Sequence, residues 1–110
     1  MPKYMSLFRY STASVKGMVN NPQNRRAAAE KVFGAAGGKV ECMYFCFGEW
    51  DGVVITDFPS NVDGASAILA VGSTGAFSQV QTMVLMTMDE GVAAMEGAKK
   101  IVSSYQPPAG

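Results

Sequence analysis

The sequence contains no histidine. No imidazole is therefore present to serve as general base, haem ligand or zinc ligand. Cysteine is scarce, with Cys42 and Cys46 the two in the chain. On a strand, residues four apart stand about 13 Å from each other, too far for a disulfide, so both are expected to be reduced core thiols. Charge bias is absent as well: nine basic residues balance nine acidic ones. Nucleic-acid phosphates call for a basic face, so nucleic acid is not an expected partner. Arg25, Arg26 and Lys31 come nearest to a basic patch, but Glu30 interrupts it, and it reads as a solvated helix face. No apolar run approaches the about 20 residues that cross a bilayer. The opening Met1-Pro2-Lys3-Tyr4 lacks the apolar region of a signal peptide. A cytoplasmic location and no membrane partner are the expectation. No metal-ligand cluster, Ser or Cys triad, or dinucleotide fingerprint is visible, so neither metal nor cofactor is expected. The run Gly34-Ala35-Ala36-Gly37-Gly38-Lys39 resembles a phosphate loop, but its spacing is one short and Val40 follows where Ser or Thr is needed.

What is present describes one folded domain. The 110 residues are 48% hydrophobic and 16% charged, well outside the disordered regime, and suit a single core. That domain is expected over residues 1–105, with 106–110 a loose tail. Lys3–Tyr10 is aromatic and apolar and predicts the first strand. Ser11 or Thr12 caps a short helical stretch over 13–19. Asn21 with Pro22 predicts the start of a second helix, whose stripe is Ala29, Val32, Phe33 and Ala36; Gly37-Gly38 stops it. Strands follow over 40–47 and 53–58, joined by Gly48-Glu49-Trp50-Asp51-Gly52. Ser60 with Asp63 opens a helix to about 71, 77–86 is the fourth strand, and Thr87 with Glu90 opens a last helix to about 105. The fold class expected is α+β: a ferredoxin-like βαββαβ arrangement with an extra C-terminal helix over a four-stranded antiparallel sheet.

The strands are apolar on both faces. Met43, Phe45 and Phe47 alternate with Cys42, Tyr44 and Cys46, and Met5 and Leu7 with Tyr4, Phe8 and Tyr10. In this fold both crossover helices cover the same face, which leaves the other face uncovered. Half a dozen large side chains, at about 1.5–3 kcal/mol each, supply on the order of 10 kcal/mol of gross drive toward association. A homodimer or higher oligomer joined through the sheet face is expected. The alternative is that the C-terminal helix folds over that face within one chain.

MPKYMSLFRYS, FGEWDGVVITDFPSN and AILAVGSTGAF resemble segments of the GYD-domain proteins, small bacterial chains named for a Gly-x-Tyr-Asp-type turn between the second and third strands. The resemblance spans Pro2 to about Ala98. Here Trp50 stands where the family usually has Tyr, so an indole that can only donate replaces a phenol. The resemblance implies the dimeric α+β barrel assembly, in which two such sheets face each other around a cavity; it implies no particular reaction.

Arg9, Tyr10, Tyr44, Trp50 and Asp51 are the candidate ligand-binding residues. Arg9, Tyr10 and Tyr44 are polar groups in apolar strands, as is Asp57; strand parity puts Arg9 opposite Tyr10, so one cavity cannot hold them all. Asp51-Gly52 is also a strong turn dipeptide, which gives the Trp50 segment a purely structural reading. Three functions stay open: a homo-oligomer binding a small, partly aromatic or apolar molecule in a cavity on the helix-free face; a cofactor-independent isomerase or monooxygenase; and an assembly protein without a ligand.

Overall fold

The structure is a computed structural model and describes residues 1–109; the last residue of the expected tail, Gly110, lies outside the described residues. Its elements run β1 (Lys3–Tyr10), α1 (Thr12–Asn20), α2 (Arg26–Ala35), β2 (Lys39–Phe45), β3 (Gly52–Asp57), α3 (Asn61–Gly72), β4 (Phe77–Leu85) and α4 (Met88–Ile101), which ends in a 3₁₀ turn, Val102–Ser104. The sheet order is β2-β3-β1-β4 with every pairing antiparallel. This is the expected α+β, ferredoxin-like arrangement with an added C-terminal helix, and its first crossover carries two helices.

Local sequence accounts for the boundaries. Ser11 accepts from the Ser14 N–H at 3.1 Å and starts α1, and Ser60 accepts from the Asp63 N–H at 3.2 Å and starts α3. Gly37, at φ 81°, ends α2 in a Schellman motif: its N–H donates to Gly34 O, and the Gly38 N–H to Phe33 O, both at 2.9 Å. The expected start of α2 at Asn21-Pro22 is corrected. The Asn24 carboxamide oxygen accepts from the Arg26 N–H at 2.9 Å, a local turn that holds 21–25 irregular and delays the helix to Arg26.

Register assigns the faces. Tyr4, Ser6, Phe8 and Tyr10 of β1 pair with Thr56, Val54, Gly52 and Phe77 or their neighbours on the helix-covered side. Tyr4, Phe8, Phe33, Val54, Phe58 and Ala67 form the buried core. Phe58 meets Tyr4 and Phe33 edge-on, each at 5.7 Å between ring centroids, the geometry that aromatic quadrupoles favour. On the other side lie Met5, Leu7, Val53, Ile55, Met83 and Leu85, an apolar face over which no helix of the described residues packs. Lys3 closes one end of it, donating to Glu41 at 2.8 Å and to Asp57 at 3.0 Å. Asp57 thus pairs with Lys3 and not with Arg9.

Two details depart from expectation. Cys42 and Cys46 are free but only half-buried, because β2 is an edge strand and gives one side to solvent. The last helix does not fold over the uncovered face: every residue from Val92 to Lys100 is exposed. It stands off the body, giving extents of 58 × 33 × 22 Å and a radius of gyration of 17.7 Å, against about 13 Å for a compact chain of this length.

Candidate ligand-binding cleft

The connection between β2 and β3 is tied to the end of β1 by Asp51. Its N–H donates to Phe8 O at 2.9 Å, its carbonyl accepts from the Cys46 N–H at 2.8 Å, and its carboxylate accepts from the Tyr10 N–H at 2.9 Å. Beyond the ladder at that end, Tyr10 would otherwise have an unpaired amide. Gly48, at φ 147°, supplies the backbone freedom the turn requires. Arg9 projects from the opposite face of β1. Its Nε donates to Glu49 O at 2.8 Å and its Nη1 to Gln79 Oε1 at 3.2 Å, and its guanidinium lies 5.3 Å from the Trp50 ring centroid. The turn is therefore clamped from both sides of the sheet, by carboxylate on one and by cation–π stacking on the other.

On the helix side a cleft opens between the sheet and α1, α2 and α3. Its inner lobe, about 510 Å³, is walled by Phe8, Val32, Phe33, Met43 and Ile68, with Ser14, Gln23, Arg25 and Thr74 as polar groups. An outer lobe of about 660 Å³ shares Phe8, Tyr10, Met18, Gln23, Arg25 and Met43 with it, then reaches Val15, Val19, Tyr44, Phe45 and Asp51 at the mouth. The space exists because the overlying helices carry small residues. Ala28, Ala29 and Gly17 line it, a methyl added at Gly17 would meet nothing within 4 Å, and α1 buries none of its residues. Phe45, 75% exposed, leaves uncovered aromatic surface at the mouth.

Tyr10 sits where the lobes join. Its ring stacks on Phe77 at 5.1 Å and meets Phe8 edge-on at 5.5 Å. Burial pushes its phenol above the ordinary 10.0; Arg25 opposes that shift and the Asp51 carboxylate adds to it. At neutral pH the cleft therefore offers a neutral hydroxyl beside a permanent guanidinium. These groups can hold an acceptor or an anionic end while the apolar walls take the remainder of a small molecule.

The five sequence candidates do not form one site. Tyr10 and Asp51 line the cleft, whereas Arg9 and Trp50 pair with each other on the far side of the sheet, as strand parity requires; Tyr44 borders the mouth but stands opposite Val53, a position that faces the far side. Ser6 and Thr82 bond each other at 2.8 Å, and Ser6 lies at the wall of the inner lobe. The sequence pointed to a cavity on the helix-free face; within the single chain, both lobes lie on the helix side. Sequence reasoning passes over Met18 and Gln23, and places Arg25 on a solvated helix face. Arg25 is exposed, as that reading has it, but it precedes α2 and lines both lobes of the cleft. The signal was the Asn21–Asn24 stretch, which is too rich in turn formers to be helix.

Solved structures similar to this chain include FFRP-DM1 (15% identity, covering 78% of this chain and 100% of that one, TM-score 0.53). The hypothetical protein PHS023 from Pyrococcus horikoshii is 17% identical, over 79% of this chain and 92% of that one, with TM-score 0.53. TTHA0845 from Thermus thermophilus is 14% identical, over 79% and 95%, also at 0.53. At such identities the likeness speaks for the fold. No curated protein matches the chain in sequence. The GYD domain model matches residues 4–95, which takes in β1, the Trp50 turn, both walls of the cleft and the first half of α4, and the chain accordingly belongs to the GYD domain family.

Proposed function

We propose that this protein binds a small, partly apolar molecule with an anionic or hydrogen-bond-accepting end, and that it does so as a homo-oligomer joined through its helix-free sheet face. The observation that carries the first part is the cleft itself. Its inner lobe of about 510 Å³ falls in the range of about 300–1,000 Å³ typical of small-molecule sites. Its walls are apolar, and Tyr10 and Arg25 bring the polar groups to one place. Asp51 belongs to the supporting layer, since its carboxylate is occupied by the Tyr10 N–H. The oligomer is supported by Met5, Leu7, Ile55 and Met83 on the uncovered face, where a contiguous apolar patch marks an interface.

An anionic aromatic probe, 8-anilinonaphthalene-1-sulfonate, tests the site. Ala29→Phe places a ring in the inner lobe, where there is room for it, so thermal stability is retained. The expected result is fluorescence enhancement with the parent protein, affinity at least tenfold weaker in Ala29→Phe, and weakening in Arg25→Gln. A control on the other face, Leu7→Gln, keeps the cleft affinity. Equal binding by Ala29→Phe and the parent would overturn the cleft as the site.

A further inference from the structure

Helix α4 has the sequence of a packing helix and, among the described residues, nothing to pack on. Thr87 caps it, accepting from the Glu90 N–H at 3.0 Å, while Glu90 Oε1 accepts from the Thr87 N–H at 2.9 Å. Asp89 and Glu90 occupy its first turn and Lys99 and Lys100 its last, the arrangement its dipole favours. Met88, Val92, Met95 and Val102 recur along one stripe, with Ile101 and Tyr105 beside its far end, and each is at least 50% exposed. A helix of 14 residues is marginal alone in water, and an apolar stripe that long needs a cover.

The same chain carries a second uncovered apolar surface, the helix-free face of its sheet. The two match in size: α4 is about 21 Å long, and the sheet is four strands spaced about 4.8 Å apart and roughly 20–30 Å long. The arm starts only two residues after β4, at Met86-Thr87, and it runs outward, so the longest dimension reaches 58 Å, well past the length of a strand. In its own chain it does not lie on that face.

We infer that the α4 arm of one copy docks by its apolar stripe on the helix-free sheet face of a second copy, and that the exchange is reciprocal. This rests on the homo-oligomer reading above and names what covers the sheet. The area is sufficient. At about 60–120 Å² per side chain, a stripe of four buries roughly 240–480 Å², and the sheet a similar amount. Two reciprocal contacts then remove about 1,000–1,900 Å², which reaches into the about 1,200–2,000 Å² of a stable interface. A two-fold relation makes each chain both donor and acceptor of the arm, the isologous form most homodimers take.

The test uses the full chain. Sedimentation or light scattering is expected to give a dimer for the parent. Val92→Glu with Met95→Glu, both at positions exposed in the single chain, is expected to weaken dimerisation at least 100-fold without changing the fold seen by circular dichroism. Cys42 faces the uncovered side, opposite Ile55, so Met95→Cys is expected to give an oxidised dimer that disappears on adding Cys42→Ser. A dimer unaffected by the paired Glu substitutions would overturn the arm and leave a sheet-to-sheet dimer standing. An oxidised dimer that survives Cys42→Ser and Cys46→Ser would mean that arms pair with arms, and would overturn docking on the sheet. A monomeric parent would overturn the arm together with the homo-oligomer reading.

Discussion

Gly52 is a position where a single methyl should be felt strongly. It begins β3, is buried, and pairs with Phe8 across the sheet. A Cβ there would lie 2.2 Å from Phe8 Cζ and 2.4 Å from Cε2. That ring cannot simply swing aside, because Tyr10 and Phe77 hold it edge-on at 5.5 and 5.6 Å. Its φ is outside the left-handed region, so Ala itself is conformationally acceptable and the clash is the whole effect. Overpacking of this kind costs about 1–3 kcal/mol, which for a domain near this size lowers Tm by roughly 5–20 °C. Gly17 supplies the opposite case: it is inside α1, and a methyl there meets nothing within 4 Å, so Gly17→Ala should stabilise by about 0.5–1 kcal/mol. Urea melts of both variants, and of Gly52→Ala with Phe8→Leu, give the energies. The paired variant should cost less than the sum of its parts because the leucine withdraws the clashing carbons. A Gly52→Ala protein within about 0.5 kcal/mol of the parent, or strict additivity with Phe8→Leu, would refute the packing described.

Three further outcomes follow from the same geometry. Trp50 is the one tryptophan, so Arg9→Ala should shift its emission and destabilise by about 0.5–2 kcal/mol, whereas Lys16→Ala should leave the emission unchanged. Tyr10 is held above the ordinary 10.0 chiefly by burial; ultraviolet titration should find a tyrosine ionising late, with Arg25→Gln moving it higher and Asp51→Asn moving it lower. Because the folded value is the raised one, stability should be intact below the ordinary value and fall as pH rises through the folded one. Glu90 is lowered from 4.5 by its bonds with Thr87, so the support it gives α4 is present above that value and should fade as pH falls through the lowered one; the helical signal by circular dichroism should lose this dependence in Thr87→Ala.

Much of the architecture was legible because its signals are local. The strand runs, the Ser60 and Thr87 caps and the Gly37-Gly38 stop each act within a few residues, and each structural boundary falls close to its signal. The two-sidedness of the strands was readable too, since alternation depends on parity alone. The start of α2 was not, because Asn24 competes with Asn21 for the turn and the winner depends on which amide its side chain reaches. The cleft was the least legible feature. Its volume comes from what Gly17, Ala28 and Ala29 fail to fill, and small residues read as good helix packing when their neighbours are unseen. Tyr10 and Asp51 were identified from their chemistry, but Arg25 joins them only through the path of the 21–25 segment. The projection of α4 could not be read from its periodicity, which states that a face is apolar and not whose surface covers it.

The central claim is that this chain is a ligand-binding homo-oligomer, and native mass spectrometry of the protein as purified from its host tests it most directly. The account expects dimers or a multiple of them, with a small molecule retained per chain and lost in Ala29→Phe. A bare monomer, or a bound mass that Ala29→Phe retains in full, would contradict it.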